Sequence, residues 1–123
     1  MFYKLTTLSL WGLYANEIKV EVDINNGLYA FNIVGLGGKS VQESKERVFS
    51  AIRNAGFEMP MKRITINLSP ADITKNSSSF DLPIATAILM ATNQITLDIT
   101  DTIIWGDLSL EGDTLHSRGA LAV

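Results

Sequence analysis

A short stretch ahead of an apolar segment, residues 67–85, gathers the side chains best suited to chemistry. It contains Lys75, three consecutive serines from Ser77 to Ser79, and Asp81. The apolar run that follows predicts a buried helix, and the first turn of a helix offers unpaired N–H groups and a partial positive charge. A nucleophile or a bound anion would be stabilised there, so this stretch is the first candidate site.

Each of these residues also has a purely structural interpretation. A serine nucleophile needs a base, and the candidates are His116, the one histidine, and Lys75, which lies close to the serines in a loop. The local sequence favours His116 at the edge of a hairpin and the serines in a polar loop. Asp72 and Asp81 could form a carboxylate pair, but the pattern favours Asp72 in a turn and Asp81 as a helix cap.

A glycine-rich loop, Gly35 to Lys39, stands between a predicted strand and a predicted helix, where a phosphate-binding loop would lie. A P-loop needs a glycine five residues before its Gly-Lys-Ser, and Ile33 occupies that position. A dinucleotide-binding fingerprint would need a glycine at Ser40. We therefore expect a tight chain connection here rather than a nucleotide site.

Composition excludes several classes of protein. The chain has 123 residues, a size typical of one domain, and 46% hydrophobic residues. It has no cysteine, so a disulfide framework and a cysteine-ligated metal site are excluded, and one histidine cannot build a zinc site alone. The longest apolar run, Leu82 to Ala91, is too short to cross a bilayer. With no signal-peptide pattern at the N-terminus, we expect a cytoplasmic protein without membrane contact.

Charge is unevenly distributed along the chain, although the net charge is only −3. Residues 39–75 carry a net charge of +3, and residues 76–123 carry −5. The basic segment is either a set of solvated faces or a surface for an anionic partner such as DNA. Its candidate nucleic-acid-binding residues are Lys39, Lys45, Arg47, Arg53, Lys62, Arg63 and Lys75. Its aromatic residues are Phe49 and Phe57; Phe57 is expected to pack inward, so phosphate contacts rather than base stacking are predicted for this segment.

The rest of the pattern predicts the elements that must position these groups. Asn25-Asn26-Gly27 predicts a hairpin turn between two strands, and Ser40 with Glu43 predicts a capping box at the start of a helix that ends near Ala55, before Gly56. The predicted strands cover 4–10, 18–22, 28–34, 64–68 and 102–105, a second helix covers 82–91, and a hairpin lies within 108–115. The fold class predicted from this mixture is α+β.

Three blocks of the sequence resemble one known family. The first block is V-E-V-D-I-N-N-G-L-Y-A-F-N-I-V-G-L, residues 20–36. The second is E-S-K-E-R-V-F-S-A-I-R-N-A-G-F-E-M-P, residues 43–60, with R-I-T-I-N-L-S-P-A-D, residues 63–72. The third is F-D-L-P-I-A, residues 80–85, with G-D-L-S-L-E-G-D-T-L, residues 106–115, and then Arg118-Gly119. In this order they resemble the N-terminal ChlI-like domain of the magnesium-chelatase-like AAA+ ATPases of the ComM and YifB type.

The resemblance implies a fold that composition does not. It looks like the two-layer fold of the Lon proteolytic domain, the GHMP kinases and domain 2 of a small-subunit ribosomal protein, in which a mixed sheet with hairpins packs against two helices. It also implies that residues 1–123 form a single N-terminal domain excised from a longer AAA+ protein, with the C-terminal helix truncated.

The likeness to Lon tests the serine hypothesis. Lys75-Asn76-Ser77-Ser78-Ser79 aligns with the Lys-Asp-Gly-Pro-Ser run of Lon, which places Ser79 at the nucleophile position. The dyad lysine of Lon follows a Gly-Gly-Leu step, and Leu121 stands at the matching position here. The loops at residues 35–38 and 75–77 also depart from the chelatase-like pattern. We therefore expect Ser79 to be a vestigial nucleophile in a chain without catalytic residues.

The resemblance implies a non-catalytic accessory domain. In the longer family proteins an AAA+ motor binds ATP and Mg²⁺, and ComM-like members act as DNA helicases and branch-migration factors in natural transformation and recombination. The implied partners are the rest of the AAA+ chain, a homo-oligomeric ring and DNA; no cofactor or metal is expected in this chain. Two alternatives stay open: a residual serine hydrolase related to Lon, and an accessory domain for metal insertion.

Overall fold

The computed structural model describes residues 1–11, 14–36, 38–69 and 80–98, together with 103, 104, 106–108, 110, 114 and 115. The strands there are β1 (Phe2–Trp11), β2 (Tyr14–Asn25), β3 (Ala30–Val34), β4 (Arg63–Ser69), β5 (Asp107–Leu108) and β6 (Thr114–Leu115). The helices are α1 (Gly38–Asn54) and α2 (Asp81–Ala91). This mixture of strands and helices confirms the predicted α+β class.

The main sheet has the strand order β1-β2-β4-β3. β1 and β2 form a long antiparallel hairpin, and β4 runs antiparallel to β2 and parallel to β3. Because adjacent parallel strands need a crossover, α1 lies between β3 and β4 in the chain. The sheet is therefore mixed, as expected, while a specific kinship with the Lon domain stays a prediction.

The predicted hairpin between β2 and β3 is wrong. Both strands form where expected, but β4 lies between them. Arg63 at the start of β4 is in register with Asn25 on one side and with Ala30 on the other. The Asn25-Asn26-Gly27 turn therefore passes over the end of β4, where a Cβ on Gly27 would lie 3.9 Å from the Cβ of Arg63.

The core lies between the sheet and the two helices. Alternate residues of β2 and β4 are almost completely buried: Ile18, Val20, Val22, Ile64, Ile66 and Leu68. Their neighbours in sequence point to the opposite face of the sheet, because successive side chains of a strand alternate. That second face is polar, and there Asn67 Nδ2 donates a 3.1 Å hydrogen bond to Glu21 Oε1.

Helix α1 is correctly placed, but its start was predicted three residues late, because Ser40 as N-cap would make Val41 the first helical residue. The helix begins at Gly38, so Ser40 lies inside it and is not the N-cap of a capping box. The predicted end is confirmed, because Gly56 has φ +92° and its N–H donates to the Arg53 carbonyl oxygen. The Phe57 N–H donates to the Ile52 carbonyl oxygen, which completes a Schellman motif.

The connection from β3 to α1 is tight, as the glycine-rich sequence predicted. Gly35 has φ +96°, and a Cβ there would lie 2.3 Å from the carbonyl oxygen of Leu68. Only glycine allows the backbone to approach β4 this closely in that conformation. The loop thus holds α1 against the sheet.

Helix α2 is buried along nearly its whole length, as its uniformly apolar sequence predicted. It packs across β1 and β2 and beside α1. Its N-cap is Phe80, which provides no side-chain capping hydrogen bond, and Asp81 is the first helical residue. The prediction that Asp81 caps the helix is therefore wrong, because the Asp81 carboxylate binds α1 instead.

The chain after α2 is described only in part. The predicted strand at 102–105 is represented by an isolated parallel bridge between Thr6 and Ile103. The predicted hairpin within 108–115 is confirmed by the antiparallel pairing of β5 and β6. In the parts of the chain that the structure describes, no helix is long and apolar enough to cross a membrane.

Candidate nucleic-acid interface

The seven candidate cations do not form one surface, because Arg47 is already engaged. Its Nε pairs with Asp81 Oδ2, and its Nη2 lies 3.4 Å from Asp81 Oδ1. The same carboxylate accepts a 2.7 Å hydrogen bond from the Ser44 hydroxyl. Asp81 is 1% exposed and Arg47 half-buried, so this guanidinium joins α1 to α2 rather than facing a ligand.

Three other residues form a stripe along α1. Lys45, Phe49 and Arg53 are spaced four residues apart, which places them on one side of the helix. The guanidinium carbon of Arg53 lies 5.6 Å from the centroid of the Phe49 ring, a cation–π contact. Lys39 is exposed but lies at the other end of α1, about 20 Å from Arg53 at the usual rise per residue.

The two basic residues at the start of β4 face in opposite directions. The side chain of Ile64 is buried against the helices, so Arg63 projects from the polar face of the sheet. Lys62 precedes the strand and lines a groove beside the C-terminal end of α1. Lys75, the seventh candidate, lies outside the described residues. The structure therefore brings Arg53 and Lys62 to one groove and places Lys45 about two turns before Arg53 on the same side of α1, whereas Lys39 and Arg63 are separated from them.

The groove has a volume of about 960 Å³ and an apolar lining. It is lined by Met1, Phe49, Arg53, Phe57, Glu58, Met59, Pro60, Met61, Lys62, Thr92 and Gln94. Gln94 fixes one wall, because its side chain accepts a 2.7 Å hydrogen bond from the Glu58 N–H and donates a second of 2.7 Å to the Glu58 carbonyl oxygen. Methionine side chains adapt easily to different ligand shapes.

A second depression of about 530 Å³ adjoins the groove at Phe49. It contains Tyr29, whose ring meets that of Phe49 edge to face, with centroids 6.2 Å apart. Lys45 and Glu46 line it as well. Burial raises the pKa of the Tyr29 hydroxyl above its ordinary value of 10.0. The surface formed by Tyr29, Lys45, Phe49, Arg53 and Lys62 is hereafter the aromatic–basic surface.

One residue of this surface, Tyr29, was not predicted from the sequence. Tyr29 lies outside the basic segment, and no local signal connects it with α1. The register provides the link: Ala30 pairs with Arg63, and the Ala30 N–H donates a 3.3 Å hydrogen bond to the Lys62 carbonyl oxygen. This pairing brings the start of β3 beside Lys62, a placement that depends on the unforeseen position of β4.

The remaining candidate residues lie outside the part of the chain that the structure describes. Ser79, His116 and Leu121 lie outside the described residues, so the vestigial serine remains a prediction. Asp72 also lies outside them. Among the residues that are described, no cluster of three or more histidine or acidic side chains could hold a metal ion.

Comparison with known proteins identifies the family. Residues 20–123 match the family described as "Subunit ChlI of Mg-chelatase". The chain belongs to this family. It is 43% identical over 117 residues to YifB of Salmonella typhimurium and 44% identical to YifB of Escherichia coli, in each case over 94% of the chain. It is 49% identical over 84 residues, or 68% of the chain, to the competence protein ComM of Haemophilus influenzae.

The chain spans only part of these relatives. The matches cover 23% of the length of either YifB protein and 16% of the length of ComM. The family and its YifB and ComM relatives therefore confirm the resemblance found from sequence. The match with the magnesium-chelatase family begins in β2 and includes all the residues of the aromatic–basic surface.

Proposed function

We propose that this chain is a non-catalytic accessory domain of a cytoplasmic magnesium-chelatase-like AAA+ ATPase, and that it holds DNA for the motor. The family membership and the likeness to a competence protein support the general role. The longer protein would bind ATP and Mg²⁺, assemble as a ring and act, like the ComM-type proteins it resembles, in unwinding or branch migration during recombination.

The observation that carries the DNA contact is the placement of Arg53 and Lys62 on the groove, with Lys45 in the adjoining depression. These cations come from two separate segments, and none forms a salt bridge within the described residues. Their anionic neighbours are Glu46 and Glu58, so the local charge is only weakly positive. Binding by one domain is therefore expected to be weak, and a ring of several copies would raise the overall affinity.

The proposed contact is with phosphates, so it depends strongly on salt. Each phosphate neutralised by a cation contributes about −0.9 to the slope of log K against log salt concentration for duplex DNA. Simultaneous Arg53→Ala and Lys62→Ala changes are expected to weaken binding and to flatten that slope by about 1.8. A titration of duplex DNA binding from about 50 to 200 mM salt measures both effects.

The control variant removes two cations from the opposite face of the sheet. Lys4 and Arg63 are both exposed there, so Lys4→Ala with Arg63→Ala changes the net charge equally. The proposal expects the control to bind almost as well as the unchanged chain. Equal losses in the two double variants would reflect net charge alone, and no binding at low salt would leave a purely structural role in ring assembly; either result would overturn the proposed contact.

A Lon-like hydrolase and a metal-insertion accessory domain gain no support from the described residues. The hydrolase hypothesis depends on Ser79 and a lysine base, and the metal hypothesis depends on a ligand cluster. Ser79 and Lys75 lie outside the described residues, and the search for a ligand cluster covers only the described residues, so both alternatives stay open. The nucleic-acid function is the one for which a specific arrangement of side chains is seen.

A further inference from the structure

The aromatic–basic surface contains an accessible aromatic ring in addition to its cations. Tyr29 is 42% exposed even though its ring contacts Phe49, and the preceding Leu28 is 92% exposed. A tyrosine and a leucine placed side by side in solvent at the end of a turn add nothing to the core. Exposed apolar groups beside cations are typical of a binding surface.

Cations and aromatic rings alternate on this surface, as phosphates and bases alternate along a nucleic-acid strand. Along α1, Lys45, Phe49 and Arg53 alternate charge and ring, while the Tyr29 ring meets Phe49 edge to face and Lys62 lines the adjoining groove. Aromatic rings stack on bases, and the flanking cations can neutralise the phosphates on either side. In a duplex the bases are stacked on each other, so their faces are available only in an unpaired strand.

We infer that the aromatic–basic surface binds single-stranded DNA, with one unpaired base stacked on Tyr29 and the adjacent phosphates held by Arg53 and Lys62. This inference rests on the proposed function and specifies which form of DNA the surface takes. It revises the expectation of phosphate contacts alone, which considered only the aromatic residues between 39 and 75. Tyr29 lies outside that segment and joins it through the β3–β4 register.

An apolar protein segment is the main competing occupant, because the groove lining is rich in methionine and phenylalanine. Charge favours the nucleic acid, since Lys45, Arg53 and Lys62 outnumber Glu46 and Glu58 around the two depressions. A peptide occupant would leave DNA affinity unaffected by a change at Tyr29, which makes it one outcome of the test.

The test compares two ligands that share phosphates but differ in bases: an oligothymidine and an abasic strand of the same length. The unchanged chain is expected to bind the oligothymidine more tightly than the abasic strand. Tyr29→Ala is expected to weaken oligothymidine binding about fivefold or more, the usual effect of one lost base–aromatic stack, and to leave abasic binding unchanged. Tyr29→Phe retains the ring and is expected to restore the affinity.

Phe2→Ala is the matched control, because Phe2 is an aromatic residue that is 61% exposed, lies on β1 and lines neither depression. Its loss is expected to leave both affinities unchanged. Equal affinity for the two strands, or no effect of Tyr29→Ala, would overturn the stacking inference. If the double change of Arg53 and Lys62 still weakened binding in that case, the proposed function would stand without it.

Discussion

The hydroxyl of Ser44 donates a 2.7 Å hydrogen bond to Asp81 Oδ1, across 37 residues of sequence. Arg47, one turn further along α1, pairs with the same carboxylate. A buried carboxylate at the first turn of α2 thus has two partners on α1 and benefits from the positive end of its own helix. The arrangement fixes the two helices beside each other at the point where the chain enters α2.

Removing the carboxylate is expected to destabilise the fold strongly. Asp81→Ala leaves the half-buried Arg47 without this partner and Ser44 without its acceptor, so a loss of about 2–4 kcal/mol in the free energy of unfolding is expected. Ser44→Ala removes one hydrogen bond and is expected to cost about 1–2 kcal/mol. Urea denaturation measures both changes. Asp23→Ala, at an exposed carboxylate, is the control, and an equally stable Asp81 variant would contradict the role of the network.

Arg47 and Arg53 are expected to behave differently although both are arginines of α1. Arg47→Ala should lower stability and leave the salt dependence of DNA binding unchanged, because Arg47 binds Asp81. Arg53→Ala should change stability by about 1 kcal/mol or less and reduce the slope of duplex binding by about 0.9. Denaturation and salt titration of the same two variants separate the effects. A flattened slope for Arg47→Ala would show that this guanidinium does reach phosphate.

Alanine substitutions at two glycines with positive φ are expected to lower the stability of the fold by different amounts. At Gly35 the new methyl group would lie 2.3 Å from the carbonyl oxygen of Leu68, so the backbone must move and the cost is expected to exceed about 2 kcal/mol. At Gly56 no atom lies within 4 Å of the added Cβ, so only the backbone conformation is penalised, by about 1 kcal/mol. Thermal unfolding of the two variants gives the comparison. A larger loss at Gly56 would contradict the close approach described for Gly35.

Replacing Thr7, whose hydroxyl is buried, is expected to stabilise the fold. Among the described residues this hydroxyl is the one buried side-chain polar atom without a hydrogen-bond partner. Thr7→Val keeps the shape and removes the unpaired hydroxyl, so a gain of about 1 kcal/mol is expected. The neighbouring Thr6 is the control, because its hydroxyl accepts a 2.9 Å hydrogen bond from Lys19 Nζ. Thr6→Val should therefore give no gain, and a Thr7 variant less stable than the unchanged chain would argue that its hydroxyl is satisfied.

The absence of catalysis is a prediction of its own. The P-loop spacing fails at Ile33, and Leu121 replaces the lysine that a Lon-like dyad would need. The chain is expected to hydrolyse neither ATP nor casein. Turnover of either substrate that disappears in Ser79→Ala or in Lys75→Ala would establish a hydrolytic site and reverse the prediction.

Local features of the fold could be predicted well from the sequence. Alternating apolar residues located β2 and β4, and the uniformly apolar run located the buried α2. The Gly56 helix end was also correct, because a left-handed residue after a helix is a local requirement. Each of these features depends on a few consecutive residues.

What the sequence did not reveal depends on distant partners. Asn25-Asn26-Gly27 predicts a turn but cannot show that β4 lies between the two strands it connects. Asp81 has the residue type of a helix cap, and only the packing of α1 against α2 assigns its carboxylate to Arg47 and Ser44. The seven cations share a stretch of sequence, yet helix periodicity, strand alternation and one ion pair distribute the six that the structure describes over different faces. Tyr29 joins three of them only through sheet register.

The position of Arg63 between Asn25 and Ala30 has a consequence for the order of folding. β2 and β3 leave the ribosome with a turn that favours their direct pairing, whereas the native sheet keeps them about 10 Å apart for a strand that is synthesised more than 25 residues later. We expect that a nascent chain that closes this turn early must separate β2 and β3 again before β4 can insert between them. Because β4 follows α1 in the chain, we expect the pairing of β2 with β4 to form late and to slow folding, as contacts between distant segments do.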